Sequence, residues 1–297
     1  MESKPHCLLV LGMAGSGKTT FVRKLYSMLK LKDENLFAIN LDPAVNKLSF
    51  PANLDICDSI NLKKLMKDYS LGPNGAIVTA LNLYSTQFHS AVEIVSQKEA
   101  QYVLIDTPGQ IETFTWSASG TIITDALASQ FPTSIIYVVD TTRCQHPSAF
   151  MSNMLYATSI YYKTRLPILL VFNKTDVTCA DFAFDWMSDF ETFMEALDSV
   201  SDESYYVSLN RSLALVLDEF YSQLNRVDVS SYTGFGFDQL LPMLSDLKSE
   251  YLETYLPELE AKRKHLQNQT HNLPQTLQED LTPIKQLMEQ LNLNKNN

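Results

Sequence analysis

Short apolar runs alternate along the chain with longer stretches in which apolar residues recur every three or four positions. The runs at 7–11, 37–41, 102–105, 134–139, 168–172 and 226–229 read as strands. Helical spacing marks segments near 18–30, 60–69, 77–98, 118–129, 147–163, 182–198, 205–224 and 236–256. Strands that are nearly continuous in Val, Ile and Leu, separated by helices, predict βαβ units and an α/β fold. The sheet is then mostly parallel, with helices on both faces. Leu213, Val216, Leu217, Phe220 and Leu224 share one helical face, which marks core rather than a cofactor site. After Tyr255 the texture turns polar and aperiodic, so residues 1–256 read as the domain. Residues 257–297 read as a helix end fraying into a polar tail.

Composition changes that picture little. Of 297 residues, 45% are hydrophobic and 19% charged, enough to bury a sizeable core. A net charge of −11 argues against a protein that grips phosphate backbones, so no direct nucleic-acid contact is expected. Cys7, Cys57, Cys144 and Cys179 are scattered without metal-ligand spacing, as in reduced intracellular thiols. The apolar start is too short for a signal peptide and nothing approaches a membrane span, so no membrane association is expected. Glycine is scarce: nine residues where average usage would give roughly 21, all read here as loop positions.

The chemistry sits in the loops. GMAGSGKT, residues 12–19, fits the phosphate-binding pattern G-x-x-x-x-G-K-[ST], between an apolar strand and a helix. The backbone of Gly12, Met13, Ala14, Gly15, Ser16 and Gly17 would wrap phosphates at a helix N-terminus, with Thr20 just behind. Lys18 would reach the terminal phosphates and the Thr19 hydroxyl a Mg2+ ion. In YVLIDTPGQ a carboxylate, Asp106, ends a strand and could hold Mg2+ through water. Gly109 could offer its N–H to a γ-phosphate, and Gln110 could orient a water. Asp42, in NLDPA, would hold metal or water, although a helix cap explains it nearly as well.

The stretch NKTD chooses the base. Asp176 can accept hydrogen bonds from the guanine N1–H and 2-amino group, which adenine lacks. Lys174 can cover the base and Asn173 brace the loops. In chain order behind the other motifs this favours GTP over ATP, with Ser231 (or Ser230) of VSSYTGFG beside the base.

These residues resemble the GPN-loop GTPases, a family of P-loop NTPases. The matching stretches are GMAGSGKTTF, INLDPAV, LGPNGAIVT, LIDTPGQIE, FTWSASGTIIT, FMSNMLYA and NKTD, with EFYSQL and DVSSYTG extending the match to about residue 240. WSASG and FMSNMLYA are most like the larger eukaryotic paralogue, associated with RNA polymerase II. The resemblance implies helical insertions at about 58–98 that carry Gly72, Pro73 and Asn74. It implies a dimer, with itself or with a smaller paralogue, in which Asn74 enters the partner's nucleotide site. It also implies a chaperone-like role with RNA polymerase II subunits or assembly factors, and a cytoplasmic protein that shuttles to the nucleus. Two departures stand out. Cys57 replaces the arginine of a D-I-R-D motif, and Met13 stands where the wider class has an early lysine. That second absence leaves the Asn74 loop as the element expected to act across the interface.

No arginine among the six declares itself as a finger, so slow turnover is expected. A nucleotide-gated binding module with dispensable hydrolysis, and an ATP-dependent kinase, are the alternatives. In the tail, Ile284, Met288, Leu291 and Leu293 have the spacing of a nuclear export signal, and equally that of an amphipathic helix end.

Overall fold

A computed structural model describes residues 4–32, 34–45, 47–199, 212–214, 220–221 and 224–271, with backbone only for 266–271. The chain divides into two compact units, Met1–Tyr255 and Leu256–Asn297.

The first unit is a seven-stranded sheet. Its strands are β1 (His6–Leu11), β2 (Leu36–Asn40), β3 (Leu54–Asp55), β4 (Tyr102–Asp106), β5 (Thr133–Asp140), β6 (Ile168–Asn173) and β7 (Asn225–Val229). Every pairing is parallel, in the order β3-β2-β4-β1-β5-β6-β7. The six expected strands form with ends shifted by at most one residue. β3 is the addition: two partly buried residues carry too little pattern to be read.

Helices cover the sheet in chain order. They are α1 (Lys18–Leu31), α2 (Ile56–Ser59), α3 (Leu62–Asp68), α4 (Pro73–Ser96), α5 (Ile111–Thr115), α6 (Ala118–Gln130), α7 (Pro147–Thr164), α8 (Asp181–Ser188), α9 (Phe190–Ser199) and α10 (Phe237–Glu250). A π-helical turn, Tyr251–Tyr255, follows α10. The alternation along β1 divides the faces. Leu8 and Val10 join the cluster built on Phe21, Val22 and Leu25 of α1 and on Leu240 and Leu244 of α10. Leu9 and Leu11 face Phe114, Thr124 and Ile160 of α5, α6 and α7 on the other side. Such a sheet buries all of β1, β5 and β6, which explains their unbroken apolar sequences.

Several local expectations need correction. The stretch expected at 182–198 is two helices, because Asp189 is extended and caps the second with its carboxylate on Glu191 N and Thr192 Oγ1. Helix α4 begins at Pro73 rather than 77, since proline suits a first helical position. Gly72 is therefore an N-cap and Asn74 lies in the first turn, while the left-handed residue of this connection is Ser70. Nor do all glycines lie in loops: Gly75 and Gly120 are helical, and only five glycines have positive φ. In the second unit the chain continues helical through α11 (Leu256–His271), where a fraying end was expected. Most of the segment 205–224, with Val216 and Leu217 of its stripe, lies outside the described residues, as do Ile284, Met288, Leu291 and Leu293.

Gly120 shows packing, not turn chemistry, fixing a glycine. A Cβ there would stand 1.9 Å from the Phe114 carbonyl oxygen. Alanine would ordinarily gain up to 1 kcal/mol over glycine inside a helix. Here Gly120→Ala is expected to cost about 2–3 kcal/mol instead, because backbone cannot yield as a flexible side chain can. Urea denaturation checks it: an unchanged or raised midpoint would mean α5 and α6 are not packed this tightly.

Candidate functional site

Parallel strands send their carboxyl ends to one edge of the sheet, where ligands bind in folds of this kind. The carboxyl ends of β1, β2, β4, β6 and β7, with the loops and first helical turn that follow them, carry the predicted nucleotide residues other than Asn74, which lies in the first turn of α4. The strand order sets β1 between β4 and β5. The loop after β1 leaves buried Leu11 through Gly12 and Gly17, both at positive φ, and delivers Lys18 into α1.

This loop is held by its carbonyls. Lys18 Nζ donates to Gly12 O at 2.8 Å, Met13 O at 3.1 Å and Gly109 O at 3.3 Å. Lys174 Nζ donates to Gly15 O at 2.8 Å, and Asn173 Nδ2 to Ser16 O at 2.9 Å. Asn173 Oδ1 in turn accepts from Ser231 N and Ser231 Oγ, so one amide joins the loops after β1, β6 and β7. Asp176 is fixed by Ser230 Oγ, which donates to Oδ1 at 2.6 Å. Its carboxylate thus stands in a set orientation beside the loop that would flank a base. Gly234, at positive φ, lets Lys24 of α1 lie over this same loop and reach Thr233 O.

The acidic side is equally organised. Asp106 ends β4 fully buried, with the Thr19 hydroxyl and the Thr107 N–H near its carboxylate, yet among the described residues neither oxygen has a well-formed hydrogen bond. Burial pushes its carboxyl up to about 6, against the lowering pull of Thr19 and Lys18. Burial likewise pushes Lys18 down, opposed by Asp106, Asp42 and Glu112. Asp42 is half-buried, raised by burial, and accepts hydrogen bonds from the backbone of Ala44 and Gly109. Asp42 and Gly109 therefore meet beside Lys18.

Gln110 and Asn74 also meet. Gln110 Nε2 donates to Asn74 Oδ1 of the same chain at 2.9 Å. Of the predicted residues, Thr20 and Ser16 have side chains that make no hydrogen bond among the described residues.

Sequence reasoning missed Asp140 and Arg143. Asp140 Oδ2 accepts from Lys174 Nζ at 2.6 Å and lies 3.5 Å from Arg143 Nε, and Arg143 Nη1 donates to Ala14 O at 3.2 Å. The carboxylate closing β5 was a visible signal, but its partner Lys174 and the Ala14 carbonyl that Arg143 holds lie far off in sequence. Cys57 sits under Asp42 with Sγ 3.7 Å from Asp42 O. Burial pushes its thiol up to about 12, so it stays neutral.

Comparison with known proteins agrees with this geometry. A family model described as "conserved hypothetical ATP binding protein" matches residues 10–250. The GPN-loop GTPase 1 of Saccharomyces cerevisiae is 52% identical over 263 residues, 85% of this chain and 68% of its own. The chain belongs to the GPN-loop GTPase family. It spans about two thirds of the length of that relative. The GPN-loop GTPase 1 of Schizosaccharomyces pombe is 46% identical over 99% of this chain and 81% of its own. GPN-loop GTPase 2 of the same organism is 29% identical over 73% of this chain and 71% of its own. Among solved structures, a GTPase from Pyrococcus abyssi in apo form superposes with a TM-score of 0.72 at 24% identity. That match covers 83% of this chain and 98% of the other, and supports the fold.

The unpartnered carboxylate of Asp106 gives a prediction. A raised native pKa means the folded apo-protein holds a proton that the unfolded chain has lost. Between about pH 4 and 6 this group's contribution to stability therefore falls as pH rises. Asp106→Asn is expected to stabilise the apo-protein at pH 7.5 by on the order of 2 kcal/mol and to flatten stability over that window. The same change should weaken Mg2+-dependent nucleotide binding. Thermal melts of both proteins in EDTA across pH 4–8 check it, and a less stable variant at pH 7.5 would refute it.

Proposed function

We propose that this chain is a GTP-binding and GTP-hydrolysing dimeric switch with a chaperone-like role in RNA polymerase II assembly and nuclear import. The observation that carries the nucleotide reading is the joining of three loops by Asn173 and Lys174, with Asp176 held ready by Ser230. The matched family model is described by ATP, whereas the relatives above are named GTPases. A carboxylate fixed beside the base loop favours guanine, whose N1–H and 2-amino donors adenine lacks. A thermal shift with GTP and not with ATP, lost in Asp176→Asn, is the expected result. Stabilisation by ATP instead would move the chain to ATP-dependent chemistry.

Within that reading Lys18 exchanges the carbonyls of Gly12, Met13 and Gly109 for phosphate oxygens, a larger gain for a desolvated ammonium. Gly109 N–H turns from Asp42 to the γ-phosphate. Asp42 and Gln110 then orient the attacking water, in-line with the leaving oxygen. Among the described residues no group of three or more His, Cys, Asp or Glu gathers as a self-sufficient metal site. A buried unpartnered carboxylate beside a threonine hydroxyl instead suits Mg2+, which binds through one or two protein groups, water and substrate phosphates. Thr19 would hold it directly and Asp106 through water, and when bound it neutralises charge building on the β- and γ-oxygens.

Two facts support a partner at this edge. A Cβ on Gly72 would meet nothing within 4 Å, and Gly72 has negative φ, so no contact among the described residues requires glycine. Asn74 is exposed on the first turn of α4, where a neighbouring chain can take it from Gln110. The partner is a second copy or a smaller paralogue of the kind that accompanies GPN-loop GTPase 1 in Schizosaccharomyces pombe.

Mixing separates action across the interface from action within the chain. Asn74→Ala and Gln110→Leu chains are each expected to be inactive. If Asn74 serves the partner, an equal mixture recovers about one quarter of the wild-type rate, because half the dimers hold one intact site. No recovery, with mixed dimers shown by sizing, refutes the exchange. The bond from Gln110 to its own Asn74 also favours the alternative of a module that needs nucleotide binding and not turnover. In that case Gln110→Leu leaves RNA polymerase II import intact. Residence is proposed as cytoplasmic with nuclear shuttling through Leu291 and Leu293, whose double alanine variant should accumulate in nuclei.

A further inference from the structure

Arg143 lies outside every nucleotide motif, yet it completes the frame of the phosphate loop. Ala14 O is held by Arg143, Gly15 O by Lys174 and Ser16 O by Asn173, three successive carbonyls with three different side chains. In a trans peptide the N–H points opposite the C=O. Drawing Ala14 O and Ser16 O outward therefore aims the N–H groups of Gly15 and Gly17 the other way, into the concave side of the loop. Arg143 and Lys174 are also tied to each other, because both approach Asp140 Oδ2, at 3.5 and 2.6 Å. Asp140 is itself held by Thr142, whose N and Oγ1 donate to Oδ1. Two cations sharing one buried carboxylate thus grip adjacent peptide units, one from the loop after β5 and one from the base-reading loop.

Gly15 fits the same account. It has φ +83°, and a Cβ there would stand 3.3 Å from Arg143 Nη2, so the guanidinium lies over the bare Cα. A guanidinium can span Ala14 O and Asp140 with separate nitrogens held in one plane, which an ammonium cannot do as well.

We propose that Arg143 is a positioning residue for nucleotide binding: anchored on Asp140, it holds the Ala14–Gly15 peptide so that the loop is pre-shaped for phosphates. The role rests on the nucleotide reading above but not on hydrolysis. Arg143 is two-thirds exposed, so water screens it and the effect is moderate.

The test is direct binding of a fluorescent GDP derivative, together with steady-state GTP hydrolysis, for wild type, Arg143→Ala and Arg143→Lys. Arg143→Ala is expected to raise the GDP dissociation constant about five- to tenfold, with kcat at saturating GTP within about twofold and an unchanged melting temperature. Arg143→Lys recovers part of the loss. An unchanged dissociation constant overturns the proposal. If it comes with a kcat at least tenfold lower, the guanidinium acts on the reacting phosphate instead. Equal losses in the Ala and Lys variants overturn it too, if both melt as wild type. GDP binding that depends on Arg143 in a chain without GTP turnover upholds it, and overturns only the hydrolytic reading.

Discussion

A loop that offers N–H groups to a polyanion must have its carbonyls held somewhere else. In this chain the carbonyls of residues 12 to 16 all have a donor: Lys18 serves Gly12 and Met13, Arg143 serves Ala14, Lys174 serves Gly15 and Asn173 serves Ser16. Gly17 O accepts from Phe21 N, so the helix takes over where the side chains stop. The donors come from α1 itself, from the loop after β5 and from the end of β6, which supplies both Asn173 and Lys174. The strand order is what brings them to one place, with β1 beside β5 and β6 next after it. Shifting β6 by one residue against β5 would point Asn173 to the other face and detach the loop from its base-reading neighbour.

The same place concentrates charge that the fold alone does not satisfy. Asp106 is buried without a hydrogen bond, and Lys18 is desolvated among carbonyls that only partly replace water. An unsatisfied buried group costs stability, and well-folded interiors rarely keep one. Asp106 and Lys18 sit close enough to shift each other, yet no ion pair forms between them among the described residues. Under the proposed function, that gap would leave Lys18 free for phosphates and Asp106 free for a metal. A direct pair would satisfy both and close the site.

How much of this was legible follows from what each feature depends on. β1, β5 and β6 were readable because burial on both faces forces unbroken apolar runs. Lys18, Asn173 and Asp176 were readable because each sits in a compact local motif, GMAGSGKT or NKTD, although most of their partners lie far away in sequence. β3 was not, since two half-buried residues, Leu54 and Asp55, carry no period. The break at Asp189 was missed because its carboxylate cap looks like any acidic residue on an exposed helical face. Arg143 was invisible for a deeper reason: no recognisable motif surrounds it, and its contact with Ala14, 129 residues away, leaves no local trace. Glycine scarcity was partly misleading, for Gly120 is kept by a carbonyl 1.9 Å from where its Cβ would stand, not by backbone freedom.

The bond between Asn74 and Gln110 sets a condition on any mechanism. In the proposed mechanism Gln110 would orient a water, and here one hydrogen of its Nε2 is committed to Asn74, which fixes how the amide is turned. Asn74 reaches it because Pro73 starts α4 at once, placing the amide in the first turn rather than on a free loop. Had the helix begun four residues later, as its apolar spacing suggests, this segment would lack that anchor. One hydrogen bond between exposed amides is worth about 1 kcal/mol, so a partner or a phosphate with differential affinity can exchange it. The helix start is thus what makes the contact geometrically defined, and the exposure is what keeps it reversible.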